Sequence, residues 1–391
     1  MGASETKSKF EHGNIILQTA KSYYVPGEEV QGNIYLSLDQ SFPGTLLELL
    51  AKGKEEVKFE DERSCCGNNY YTKDFSEKRK IFKFRETIHN FEGDSIPTGQ
   101  YCFPFKLLLP EGIPSSCLYQ IDDFSQTQGK VKYKISAILT CNEDEMKDMT
   151  FKQTLVVRQQ PEIVGTNSKA TCDAEVNTCC CFCSQGYARM KAETERTDYR
   201  PDQTVKIVTH IKNKCKRDIK KVKVQLIQRI EMNALEKNRH VFDYMEAFER
   251  DPFGTDGQRR VYILYKKVLL SKEYEGILKG EESNAGQQHL LLPLKEKEEM
   301  YDEDDLIMRK GIQPTSIGKL MSINYELKII PDYGIKCGCC LPEISIDLFI
   351  SPPQLPSYQV LEGPVDWEPE VFETKTFCDP IPLYEEEQES S

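Results

Sequence analysis

The sequence predicts an all-β protein: two tandem immunoglobulin-type β-sandwiches followed by a disordered, acidic C-terminal tail. Three observations carry that expectation. Apolar residues recur mostly at every second position, the signature of strands with one face on a core, and long stretches of helical period are scarce. A turn motif near the start, Tyr24-Val25-Pro26-Gly27-Glu28-Glu29-Val30, returns as Tyr199-Arg200-Pro201-Asp202-Gln203-Thr204-Val205, so one design is used twice. The chain's 391 residues suit two domains and a remainder.

Along the chain, residues 1–12 form a polar N-terminus. It lacks the apolar run of a secretory signal, so the protein is expected in the cytoplasm. Residues 13–160 hold the first sandwich. Its opening turn uses Pro26 to preset φ and Gly27 to reverse the chain ahead of the strand Gly32–Leu38. The sandwich closes with Val131, Tyr133, Ile135 and Ala137 alternating against Lys132, Lys134 and Ser136, then with Phe151–Val157. Residues 161–178 read as a polar linker. Residues 179–351 form the second sandwich, closed in the same way by Ile323, Tyr325, Leu327 and Ile329 and then by Ile344, Ile346, Leu348 and Ile350. Within it, Glu231–Arg250 carries Leu235, Phe242, Met245 and Phe248 at near-helical spacing and is the best candidate for a short helix. Residues 352–391 are proline-rich and acidic, a composition too poor in apolar residues to order itself.

Charge and chemistry narrow the function classes. Residues 361–391 carry ten acids and one lysine, a net −9 of the chain's −12, so a nearly neutral body bears an acidic tail. That balance argues against a general nucleic-acid binder. In the cytoplasm the 15 cysteines should be thiols or metal ligands. There is no phosphate-binding loop, dinucleotide glycine fingerprint, nucleophile elbow or paired-histidine zinc motif, and the five histidines are scattered singly, so no enzyme is expected.

The chain resembles the arrestin fold, specifically the α-arrestin or arrestin-domain-containing family. The residues that carry the resemblance are Tyr24-Val25-Pro26-Gly27-Glu28 and Gly99-Gln100-Tyr101-Cys102-Phe103-Pro104-Phe105 leading to Leu109-Pro110 and Ile113-Pro114-Ser115-Ser116. To these are added Gly129-Lys130-Val131-Lys132-Tyr133, Cys179–Cys183 with Gly186, Tyr199-Arg200-Pro201, and Ile323–Leu327. The resemblance spans about residues 13–351. It implies two seven-stranded sandwiches and a cytosolic adaptor without catalysis of its own.

Four motifs are candidate sites. Leu355-Pro356-Ser357-Tyr358 puts a tyrosine two residues after a proline in a segment suited to polyproline II, the shape a WW domain's aromatic groove accepts. The resemblance implies that it recruits a HECT ubiquitin ligase; Pro382 and Tyr384 make a more degenerate second copy. A proline-rich linker with incidental tyrosines is the plain alternative. Cys180 with Cys183, and Cys337 with Cys340, each have the Cys-x-x-Cys spacing that lets two thiolates reach one tetrahedral zinc. Each pair precedes a strand of the second sandwich, and if those strands lie side by side and parallel the pairs meet at one end. Surface thiols or palmitoylation sites are the alternatives. Met1-Gly2-Ala3-Ser4-Glu5-Thr6 fits N-myristoylation at Gly2. Lys220, Lys221 and Lys223 belong to a basic stretch running from Lys212. The resemblance implies binding of phosphoinositide or another anionic membrane surface there, against the alternative of a solvated strand face.

The reading that follows is a trafficking adaptor at the plasma membrane and endosomes. It would couple membrane cargo proteins or receptors to a ubiquitin ligase, with no nucleic-acid partner. Its rivals are a sorting-coat subunit similar to the retromer arrestin-fold subunit, and a thiol-based redox regulator using the cysteine clusters.

Overall fold

The computed structural model of the chain describes residues 8–65, 69–120, 128–160, 168–178, 183–200, 204–215, 219, 221–234, 266–268, 283–291, 314–333, 343–352, 357–379, 381 and 383. Among them there are strands and turns and no helix.

The first sandwich comprises β1 (Gly13–Thr19), β2 (Glu29–Leu38), β3 (Leu46–Cys65), β4 (Asn69–Asn90), β5 (Gly99–Leu108), β6 (Cys117–Gln120), β7 (Gln128–Thr140) and β8 (Met149–Leu155). One sheet runs β1-β2-β5. In the other, β4-β3-β7, the far side of β7 is shared by β6 and β8. The alternation read in the sequence becomes the pleat. Val131, Tyr133, Ile135 and Ala137 of β7 are fully buried and share one core with Ile34, Leu36, Phe103 and Phe105 of the other sheet. Burial of each of the valine, isoleucine, leucine and phenylalanine side chains contributes about 1.5–3 kcal/mol. Tyr133 is also anchored at its polar end, where the hydroxyl donates to the Pro114 carbonyl at 2.8 Å while the ring stacks on Phe82.

The second sandwich comprises β9 (Ser168–Thr178), β10 (Cys183–Thr194), β11 (Asp198–Tyr199), β12 (Thr204–Cys215), β13 (Lys221–Met232), β14 (Lys266–Val268), β15 (Ser283–Leu291), β16 (Ser316–Ile317), β17 (Met321–Asp332) and β18 (Ile344–Ile350). Its sheets run β15-β12-β10-β9 and β11-β18-β17-β13-β14, with β16 on β17. The duplicated turn motif occupies the same place in both halves. Tyr24 pairs in parallel with Val157 just past β8, as Tyr199 pairs in parallel with Ile350 at the end of β18. Each tyrosine carbonyl accepts an N–H at 2.8 Å, from Arg158 in the first half and from Ser351 in the second.

The two halves touch through β3 and the β16–β17 corner. The Glu55 carboxylate, buried, accepts the Met321 N–H at 2.7 Å and the Lys319 N–H at 3.2 Å. Gly318 suits this approach, because a Cβ there would lie 2.6 Å from the Met321 carbonyl oxygen as well as against the Glu55 carboxylate. Ser115 N–H donates to Ser316 Oγ and Ile317 N–H to Gln159 Oε1, at 2.9 and 2.8 Å.

Four expectations change. The segment read as linker, 161–178, contains β9. Ala170, Cys172, Ala174 and Val176 alternate with Lys169, Thr171, Asp173 and Glu175, a polar pattern that suits the sheet-edge position it takes beside β10. Glu231 and Met232 finish β13 instead of opening a helix, while Leu235, Phe242, Met245 and Phe248 lie outside the described residues. The parallel neighbour of β18 is the short β11; β10, which begins at Cys183, belongs to the other sheet. The largest change concerns the acidic tail. Residues 357–379 are not a free segment but fold back onto the first sandwich, where β19 (Glu370–Val371) and β20 (Lys375–Phe377) pair in parallel with β5. The physical reason is an edge. The outer side of β5 offers unpaired backbone groups, and the tail supplies partners for them together with Phe372, Phe377 and Ile381.

Candidate functional site

The candidate site is the surface where the tail meets the first sandwich, and it starts from the Tyr24–Glu28 turn. Gly27 takes φ of 76°, in the left-handed region that favours glycine, and donates its N–H to the Pro110 carbonyl at 3.1 Å. Glu28 N–H closes the turn on Val25 O at 3.1 Å, and the Glu28 carboxylate accepts Val25 N–H at 3.0 Å. Its other oxygen pairs with the buried Lys21 ammonium. Beneath them, the fully buried Tyr24 accepts Lys21 N–H and donates to Gln31 O, at 3.1 and 3.3 Å. Burial first, with the Glu28 charge adding, pushes the Tyr24 phenol up to about 12.

Tyr358 sits on this turn. Its hydroxyl donates to the Glu29 carbonyl at 2.8 Å and lies 3.3 Å from Glu28 Oε1. The Lys21 ammonium stands 4.0 Å above its ring centroid, a cation–π contact, and the next amide, Gln359 N–H, donates to Ala20 O at 2.9 Å. Partial burial, then the neighbouring Glu28 charge, raises the phenol to about 12, so it remains a proton donor at neutral pH.

From there the tail runs the length of β5. Residues 364–367 make a turn in which Trp367 N–H donates to Pro364 O and Asp366 takes φ of 68°. Glu368 N–H donates to Gln100 Oε1 at 2.8 Å, and Phe372 N–H to Cys102 O at 2.9 Å. The Phe372 ring stacks on Phe103 and contacts His89, both at 4.6 Å between centroids, within a cluster that includes Phe91 and Tyr101. Phe377 packs edge-on against Phe84 of β4, Ile381 is buried at 2% exposure, and Leu383 bridges Phe82. Burial holds the His89 imidazole below its ordinary pKa, with Lys375 acting in the same direction and Glu370 opposing it.

Of the residues singled out in the sequence, Ser357 and Tyr358 are placed here, with Ser357 exposed. Leu355, Pro356, Pro382 and Tyr384 lie outside the described residues. So do Gly2, Lys220, Cys180, Cys337 and Cys340. Lys221 and Lys223 are fixed as positions on β13, opposite Asp332 and Ile330 of β17. Cys183 opens β10 opposite Thr178, and among the described residues no group of metal-binding side chains comes together. Sequence reasoning did not find Lys21, Glu28, Phe372 or Phe377. The available signal was two aromatics five residues apart in an otherwise acidic, proline-rich stretch, Glu370-Val371-Phe372-Glu373-Thr374-Lys375-Thr376-Phe377.

Comparison with known proteins places both halves. Residues 13–161 match the arrestin (or S-antigen) N-terminal domain, and residues 184–353 match the arrestin (or S-antigen) C-terminal domain. Similar curated proteins include arrestin domain-containing protein 15 of Caenorhabditis elegans, 24% identical over 203 residues that cover 49% of this chain and 52% of that one. Arrestin domain-containing protein 1 of Mus musculus is 21% identical over 256 residues, 63% of this chain and 52% of its own length. The Rattus norvegicus protein of the same name is 20% identical over 379 residues, 94% of this chain and 77% of its own. The chain thus spans about half the length of the first two of these relatives.

Proposed function

This chain belongs to the arrestin-domain-containing family, and from that premise we propose that it is a trafficking adaptor linking membrane cargo proteins or receptors to a WW-domain HECT ubiquitin ligase. Cargo so delivered is ubiquitinated, internalised and sorted, and the ubiquitin transfer is the partner's chemistry. The observation that carries the reading is the position of Leu355-Pro356-Ser357-Tyr358. It begins five residues after the last strand of the second sandwich, just beyond the region that matches the arrestin C-terminal domain. A proline-tyrosine motif in a segment leaving a folded body is the form in which a WW groove reads a ligand.

Peripheral membrane association is part of the proposal. It is supported by Lys212 and Lys214, exposed on β12 at the head of the basic stretch that continues to Lys220, Lys221 and Lys223, and by the acylation pattern at Gly2. No helix among the described residues is long and apolar enough to cross a membrane.

The test is a titration of an isolated WW domain, one that binds Pro-Pro-x-Tyr peptides, with a peptide of residues 350–362. Tyr358→Ala should weaken binding at least about tenfold, which corresponds to about 1.4 kcal/mol. Equal affinity of the two peptides overturns the reading.

A further inference from the structure

We propose that the outward face of the sheet β4-β3-β7 in the first sandwich is a docking surface for an anionic lipid bilayer. It rests on the peripheral membrane association proposed above and gives that association a contact surface separate from the basic stretch 212–223.

Three strands bring lysines into register there. Lys83 stands opposite Lys52 and Lys52 opposite Lys134; two positions along, Lys80 stands opposite Lys54 and Lys54 opposite Lys132. With strands about 4.8 Å apart and about 6.8 Å between alternate residues, six lysines fall in a block about 10 Å by 7 Å. They are the outward positions of these strands, since Ala51, Phe82, Tyr133 and Ile135 beside them are the buried ones. Lys52, Lys54, Lys80 and Lys83 are exposed, and Lys132 and Lys134 are half-buried. The next row, Lys78, Glu56 and Lys130, adds two lysines that share one carboxylate at 3.0 and 3.4 Å. Among the described residues Lys52, Lys54, Lys83 and Lys134 have no ion pair.

Folding alone does not account for this block. Like charges directly opposite one another destabilise a sheet, and lysine is a poor strand former. Lysines on an edge strand guard against pairing with other chains, which explains Lys80 and Lys83 on β4. Strand β3 is paired on both sides, so Lys52 and Lys54 have no such use. A concentrated charge of one sign is matched by a ligand of the other, and the form of that ligand follows from the arrangement. Charge spread over three strands and two rows fits a surface that is itself two-dimensional, whereas an extended acidic peptide offers a line. The lysine ammonium is a point charge that needs no set geometry, and the neighbouring Arg85 already spends its planar fork on Glu48, at 2.9 and 2.5 Å. Neither row contains an aromatic side chain, so nucleic-acid bases have no stacking platform. The headgroups of an anionic bilayer meet all these terms, with each lysine near that surface adding to the attraction.

The experiment is flotation of the full chain with phosphatidylcholine vesicles, with and without phosphatidylserine, using protein made without N-acylation so that Gly2 contributes no lipid. Three variants are compared: Lys52→Gln/Lys54→Gln/Lys83→Gln/Lys134→Gln, the same four positions changed to arginine, and Lys212→Gln/Lys214→Gln. The unaltered chain should bind the phosphatidylserine vesicles at least about tenfold more tightly than the neutral ones, and the glutamine variant should lose at least about tenfold while the arginine variant keeps its binding. Raised salt should weaken the unaltered chain more than the glutamine variant. The glutamine variant should melt no lower than the unaltered chain, because opposed lysines no longer repel; a purely structural role would lower its melting temperature. Should it not fold, Lys52→Gln/Lys54→Gln decides by the same outcomes. A glutamine variant that binds as tightly as the unaltered chain overturns the inference, and if Lys212→Gln/Lys214→Gln then loses binding, membrane association stands and belongs to the second sandwich. No binding of the unaltered chain to either vesicle overturns the inference together with the charge-driven association it rests on. Binding of a polyglutamate peptide but not of vesicles, lost in the glutamine variant, assigns the face to an acidic peptide and overturns the bilayer assignment.

Discussion

The two copies of the Tyr-x-Pro motif share a sequence pattern and the strand pairing of their tyrosines, and differ in what their charges do. In the first, Lys21 lies three residues before Tyr24, pairs with Glu28 and reaches over the ring of Tyr358. In the second, Arg196 holds the corresponding place and lies 4.9 Å over the ring of its own Tyr199, while Gln203 stands where the first copy has Glu28. Both tyrosines are buried and both join the opening of a sandwich to its last strand, so the shared part is architecture. The difference lies in the outer layer. An acid in the first copy fixes a lysine where it can hold a ring from outside the sandwich, whereas the second copy spends its cation locally. Duplication supplied the scaffold, and a few surface residues let one copy hold the tail's tyrosine.

The strongest way to break the comparison is to remove the shared tyrosine. Tyr24→Ala and Tyr199→Ala should each destabilise the protein by about 3–5 kcal/mol, the range for truncating a fully buried aromatic side chain. Chemical denaturation of the two variants checks this. A cost below about 1 kcal/mol at either position would show that the two turns are alike in sequence only.

A second substitution asks whether the copies are independent units. Glu55→Ala leaves the buried Met321 N–H of the second sandwich without its acceptor in the first, at about 1–3 kcal/mol, and the part-buried Lys319 N–H at less. Glu55→Gln keeps one acceptor oxygen and sheds a charge whose burial already raises the carboxyl's pKa, so it should cost much less. Equal losses for the two variants would mean that carboxylate charge, and not hydrogen bonding, holds this joint.

A third converts one copy toward the other. Glu28→Gln puts the second copy's residue into the first and leaves Lys21, with only 6% of its side chain exposed, without its anion. The expected cost is about 2 kcal/mol, in line with hydrogen bonds to charged groups, together with faster exchange of the Gln359 amide as Tyr358 loosens. Gln203→Glu in the second copy should change stability by less than about 0.5 kcal/mol. Similar losses at both positions would remove the distinction drawn between the two turns.

What could be read from the sequence follows the same division. Val131–Ala137, Ile323–Ile329 and Ile344–Ile350 were legible because each strand has one face on a core, and burial writes a period of two into the chain. The paired tyrosine turns were legible because proline and a following turn residue recur in register. The tail was not. Its two strands are two and three residues long, too short for alternation to show, and their partner β5 lies some 270 residues away. Its acids and prolines dominate any average taken over the segment, so Phe372 and Phe377 do not lift it toward a folded reading. Strand β9 was hidden for a related reason, since its alternating apolar residues, Ala170, Cys172, Ala174 and Val176, are small and stand among polar ones. Tyr358 was singled out in the sequence through its proline-tyrosine spacing, but the surface it lies on exists only once Lys21, Glu28 and the tail have been brought together by the fold.

The smallest effect separates the two ends of the docked tail by pH. His89 of β4 faces Phe372 at 4.6 Å and Phe91 at 4.6 Å, with Glu370 and Lys375 of the tail as its charged neighbours. Burial lowers its pKa below the ordinary value of about 6.5, so the docked state favours the neutral imidazole. A lowered pKa means that the docked form binds fewer protons than the released form between the two values. Its contribution to docking is therefore complete above about pH 6.5 and is lost as the pH falls through the docked value. The Tyr358 end should not follow, because its phenol is raised to about 12 and stays protonated throughout this range. Between about pH 7.5 and pH 5.5, protection of the Phe372 amide, corrected for intrinsic exchange, should fall by a factor of a few while that of Gln359 changes less. In His89→Phe, which keeps an aromatic ring in the cluster, the pH dependence at Phe372 should disappear. If the same dependence persists in that variant, His89 is not its source.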